Sequence, residues 1–113
     1  IANGKICRIK YGSYTGNGKY GAANAISIEC GFYPLLVMVS SSSSSHYWAV
    51  RGFDKFYYNN NRENEMTWGD TGVSWYYPQD DQYYSPSGNQ MNTIDTTYYY
   101  LVLGYSNDGE QGN

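Results

Sequence analysis

Apolar and polar residues alternate with a period of two along much of this chain. Between Lys5 and Tyr14, Cys7, Ile9 and Tyr11 fall on one side and Arg8 and Lys10 on the other, the signature of a half-buried strand. Ile26, Ile28 and Cys30 alternate in the same way with Ser27 and Glu29, and Trp48 and Val50 oppose Tyr47, Ala49 and Arg51 between His46 and Gly52. Met66 and Trp68 share a face, as do Val73 and Trp75, and Asp70-Thr71-Gly72 between them reads as a hairpin turn. The last strand, Thr96 to Tyr105, sets Tyr99, Leu101 and Leu103 against Tyr98, Tyr100 and Val102.

One stretch breaks the alternation. Pro34 to Val39 reads Pro-Leu-Leu-Val-Met-Val without a polar residue. Its length, its β-branched members and the turn residues around it point to a buried strand rather than a piece of helix. It is therefore expected to be a central strand covered on both faces, with the others arranged around it. No segment carries a sustained helical period. About seven short strands separated by Gly, Ser and Asn predict an all-β fold, an antiparallel β-sandwich or small barrel with long polar loops.

The connections have their own chemistry. Asn17-Gly18 is a tight-turn signal, since both residues tolerate positive φ. The spacing of Gly16, Gly18 and Gly21 also fits a dinucleotide-binding fingerprint. It lacks the strand before and the helix after that such a site needs, so a turn is expected. Ser40 to Ser45 form a low-complexity tract that reads equally as a variable binding loop or a slack connector. Residues 53–64 are expected to be loop or frayed strand end, and Pro78 to Asn92 a long polar loop.

Composition narrows the function. The 113 residues suit one domain, residues 1–113. Fifteen tyrosines make up most of a 19% aromatic content, more rings than a core of this size can hold, so some must lie on the surface. The net charge of -3 argues against a nucleic-acid partner. No apolar run reaches the ~18 residues that span a bilayer, so no membrane insertion is expected. Ile1 reads as the start of a piece cut from a longer chain or of a processed product. Cys7 and Cys30 could pair only if their strands were neighbours; two buried free thiols are expected.

Three stretches belong together: Gly12-Ser13-Tyr14-Thr15-Gly16-Asn17-Gly18, Gly31-Phe32-Tyr33-Pro34-Leu35-Leu36-Val37, and Val73-Ser74-Trp75-Tyr76. Gln90-Met91-Asn92 then precedes a closing Tyr98-Tyr99-Tyr100 strand that ends in Gly104. This order resembles the C-terminal receptor-binding domains of tail-fibre or baseplate proteins of bacteriophages and prophages. The resemblance implies a virion-tail, extracellular location, a homo-oligomer that is commonly trimeric, and attachment to a bacterial surface glycan or surface protein. It carries over no catalytic or ligand residues.

Read from the residues themselves, the chemistry favours recognition over catalysis, and no catalytic residue, cofactor or metal is expected. The single histidine, His46, reads as a surface or strand-end residue. Asp80 and Asp81, and Glu63, Glu65 and Asp70 around the Trp68 hairpin, could serve a glycan hydrolase or a calcium ion; each also fits ordinary turn and loop chemistry. Tyr with Ser, Gly and Asn is the composition of antibody recognition loops. An aromatic ring can stack on a sugar while Asn, Asp and Gln bond its hydroxyls. The expected ligand-binding set is Tyr57, Tyr58, Asn60, Trp75, Tyr77, Asp80, Asp81, Tyr83 and Tyr84. Tyr98 to Tyr100 are expected to fill the core. A hypervariable protein-binding module, diversified over residues 40–62 and 76–92, is the alternative, as is a purely structural tail domain.

Overall fold

The computed structural model describes residues 4–42, 46–52, 55–59, 62–78 and 85–107. It is an all-β sandwich of two antiparallel four-stranded sheets. The first sheet has the order β1 (Lys5–Thr15), β8 (Thr97–Asn107), β3 (Tyr33–Ser41), β4 (His46–Val50). The second has the order β2 (Ile26–Glu29), β7 (Gly72–Tyr76), β6 (Arg62–Trp68), β5 (Lys55–Asn59). β5 and the start of β6 occupy what the sequence reads as loop. There the Tyr-rich segment finds a partner across the ladder, Tyr57 opposite Glu63. A single helical turn, α1 (Pro86–Asn89), interrupts the expected loop at 78–92; Ser85 Oγ caps it by accepting from the Gly88 N–H. The serine tract begins as strand, with Ser40 opposite both His46 and Tyr99.

The core lies between the sheets. Val37, Val39, Ala49, Tyr98 and Val102 project from the first; Ile28, Met66, Val73 and Trp75 project from the second. The strands in which alternation is expected show it, but in β1 and β4 the buried side is not the one with more apolar bulk. In β1 the half-buried face carries Arg8, Lys10 and Gly12, while Ile9 and Tyr11 point outward at 62% and 70% exposure. In β4, Ala49 is buried while Trp48 and Val50 face solvent. β3 is central, yet covered on one face only: Val37 and Val39 are sealed, and Met38 is 44% exposed. The expectation of two covered faces fails because the second sheet packs on one side of the first and none of the described residues packs on the other.

The sandwich has two poles. Gly31 and Cys30 donate their N–H groups to the Thr71 carbonyl, and Arg51 donates to the carbonyls of Pro34 and Gly69, with its guanidinium 3.7 Å above the Tyr33 ring. These contacts hold the Glu29–Gly72 end of the second sheet beside the Lys5–Asn107 end of the first. The turn after β1, the Ser41 end of β3, the Asn59–Arg62 end of the β5–β6 ladder, Tyr77 and residues 85–97 therefore gather at the opposite pole.

Cys7 and Cys30 are free thiols, and their segments lie in different sheets. Contrary to expectation neither is fully buried: Cys7 is exposed on β1, and Cys30 is half-buried. The Cys30 thiol donates to the carbonyls of Phe32 and Thr71, and burial pushes its pKa up.

Candidate functional site

The loop-bearing pole is held together by side-chain amides. Gln90 is fully buried. Its Oε1 accepts from the N–H groups of Gly21 and Tyr77, both at 2.8 Å, and its Nε2 donates to the Asn24 carbonyl at 2.8 Å. Asn92 does the same for the turn after β1: Oδ1 accepts from Asn17 N–H at 3.1 Å, and Nδ2 donates to Asn17 Oδ1 at 2.7 Å and the Lys19 carbonyl at 2.9 Å. Buried amides with every group paired fix a unique loop arrangement, whereas a half-satisfied one would be costly. Gly16 lets the two segments touch, since a Cβ there would meet the Thr93 carbonyl oxygen at 2.0 Å. Met91, between the two amides, sits in the left-handed region at φ 60°, and its carbonyl accepts the Tyr14 hydroxyl at 2.8 Å.

Next to this brace a cleft of about 440 Å³ opens between β1 and β2, one edge strand of each sheet. Lys10, Tyr14, Asn17, Glu29, Asn92 and Tyr100 contribute to its walls. Tyr100 lies across Gly12, its ladder partner, where any side chain would strike the phenol ring. Tyr14 stacks between Tyr98 and Tyr100, at centroid distances of 5.1 and 6.5 Å. The cleft thus offers a tyrosine wall, amide groups, one ammonium and one carboxylate. This donor set suits a small polyhydroxylated ligand, and the volume lies within the ~300–1,000 Å³ usual for small-molecule sites.

The residues expected to bind ligand divide three ways. Trp75 and Tyr77 are core residues with no exposed surface. Inward alternation on β7 buries Trp75, whose indole donates to the Gln90 carbonyl, and Tyr77 follows it inward just past the strand end, its N–H held by Gln90 Oε1; neither can meet an external ligand. Tyr57 and Tyr58 lie on β5 near the loop-bearing pole, and their side chains fall outside the described residues. Asn60, Asp80, Asp81, Tyr83 and Tyr84 also fall outside them. The flanks of 79–84 are nonetheless placed: Tyr77 N–H is held by Gln90, and Ser85 caps α1, both at the pole that bears the cleft.

Of the carboxylates weighed for a hydrolase or a calcium ion, Asp80 and Asp81 lie outside the described residues. Glu65 lies opposite Tyr76 and Lys55 within the second sheet, whereas Asp70 sits in the turn at the far pole. Among the described residues no group of three or more His, Cys, Asp or Glu side chains could hold a metal ion. His46 stands exposed at the start of β4, its Nδ1 sharing a 2.8 Å hydrogen bond with Ser40 Oγ. The tyrosines of β8 split: Tyr98 is buried, Tyr100 half-buried in the cleft and Tyr99 45% exposed on the outer face.

Lys10, Asn17, Glu29 and Tyr100 were not legible as a site, because each belongs to a different strand or turn and only the pairing of the sheets assembles them. The chain matches no protein-family model, no curated protein and no solved structure.

Proposed function

We propose that this chain is a non-enzymatic recognition domain that attaches to a bacterial surface glycan through its loop-bearing pole, as the receptor-binding tip of a phage tail fibre. The observation that carries this reading is topological. The Ser40–Ser42 start of the serine tract, the Tyr57–Tyr58 strand end, Tyr77 and Ser85 on either side of residues 79–84, and the Asn17–Asn92 mouth of the β1–β2 cleft belong to one pole, while Lys5 and Asn107 pair at the other. A scaffold of buried amides holds that pole, and variable polar and aromatic loops on a rigid base are how binding surfaces are built. Stacking of sugar rings on tyrosine and hydrogen bonding by Asn, Asp and Lys supply the affinity. The reading places the domain on a virion tail outside the cell, in a homo-oligomer that is trimeric in the tips it resembles.

Binding to a glycan array and to host cells tests it. Tyr83→Ala combined with Tyr84→Ala lowers host-cell binding at least tenfold with the circular dichroism spectrum unchanged, and Lys10→Ala with Glu29→Ala reports separately on the cleft. Full adsorption by both folded double variants would sink the site assignment. Release of reducing ends from host polysaccharide would instead favour a hydrolase.

The strand ends at Ser41, Asn59, Arg62 and Tyr76, drawn from the windows 40–62 and 76–92, lie at one pole, which also favours a diversified protein-binding surface. Substitutions confined to those windows in sibling genes would select that reading.

A further inference from the structure

We infer that the outer face of the β1-β8-β3-β4 sheet is a contact surface for a second copy of this chain. The ladder registers set side chains in rows across all four strands of that face. One row is Ile9, Leu103, Leu36 and Val50; the next is Tyr11, Leu101, Met38 and Trp48; a third is Ser13, Tyr99, Ser40 and His46. None of these residues is Asp, Glu, Lys or Arg. An antiparallel sheet with a solvated face ordinarily alternates to polar residues on that side. This one does the reverse: β1 and β4 turn their bulkiest apolar residues away from their own core.

Area and charge decide the occupant. Ile9, Tyr11, Met38, Trp48, Val50 and Tyr99 are 62, 70, 44, 63, 41 and 45% exposed. At about 150–250 Å² per large side chain, they present roughly 500–800 Å², above the ~300–600 Å² of the largest patch on a typical monomer. The half-buried Leu36, Leu101 and Leu103 fill the gaps between them. The total approaches the ~800 Å² that each partner contributes to a standard stable interface. A charge-free face opposes an identical face without like-charge repulsion, which is the requirement for a self-complementary contact. Two such sheets would stack about 10 Å apart, as the sheets of a sandwich do. Among the described residues the cations at the rim of this face, Lys5 and Arg51, lie at its far end and are engaged with the Tyr105 and Tyr33 rings, and the rows themselves offer no basic side chain to nucleic acid or an anionic membrane.

The experiment is light-scattering mass across a concentration series, for wild type and for Trp48→Glu and Tyr11→Arg. Both substituted positions are exposed, so melting temperature and circular dichroism should stay at wild-type values. The expected result is a wild-type mass of two chains that falls to one chain in either variant, or a shift of dissociation to at least tenfold higher concentration. A wild type that stays at one chain to about 100 µM overturns the inference, whether or not another protein binds the face. So does an oligomer that survives both substitutions. A monomer that still binds glycan would overturn this inference and leave the loop-pole reading intact.

Discussion

At the scale of single residues, Tyr14 concentrates the most consequences. It reaches from β1 across the top of the core, stacks on Tyr98, and donates its hydroxyl to the carbonyl of Met91, a residue held at positive φ. Burial, with Tyr98 adding to it, raises its pKa far above the ordinary phenol value of 10. Below pH 10 the folded and unfolded chains both keep this proton, so pH has no leverage through it. Above pH 10 the unfolded chain releases the proton and the folded chain keeps it, so stability falls as pH rises, by up to about 1.4 kcal/mol per pH unit. Tyr14→Phe should cost about 1 kcal/mol at neutral pH through the lost hydrogen bond. It should also lose less stability than wild type between pH 10 and 11. Denaturant unfolding at pH 7, 10 and 11 measures both, and identical alkaline slopes would show that Tyr14 is not held protonated.

At the scale of elements, the segment from Gln90 to Asn92 closes the fold without regular structure. Asn92→Asp keeps the shape and removes the donor to Asn17 Oδ1 and the Lys19 carbonyl, setting a buried carboxylate against two oxygens. A loss of about 3 kcal/mol is expected at pH 7, or a fall in melting temperature of more than about 10 °C for a domain of this size. Part should return at pH 4, where the acid regains a proton to donate. Equal losses at both pH values would mean that the two donated bonds do not matter. The strands were legible because period-two alternation survives whichever face is buried, and Asn17-Gly18 announces its turn. Which face is buried was not legible for β1, β3 and β4: Ile9 and Tyr11 read as core, and only the placement of the second sheet turns them outward. Gln90 and Asn92 read as loop residues, since their partners, Gly21 and Asn17, are about seventy positions away. β5 was hidden because Tyr-Tyr-Asn-Asn carries no alternation.

For the whole molecule, the pairing of Lys5 with Asn107 has a mechanical consequence. The two strand ends are ladder partners, and Lys5 Nζ donates to Asn107 Oδ1 at 2.6 Å. Ladder hydrogen bonds run perpendicular to their strands. Tension applied between Lys5 and Asn107 would peel β1 from β8 one bond at a time. Tension between Lys5 and the loop-bearing pole would run along the strands and load many of those bonds at once. Single-molecule pulling through Lys5 and Asn107 should give a clearly lower rupture force than pulling through Lys5 and a handle at Pro78. Equal forces would rule out this directional response. A tip tethered at one pole and gripping a cell at the other would be stressed along its strong axis. The same domain would yield readily when pulled open from its tether.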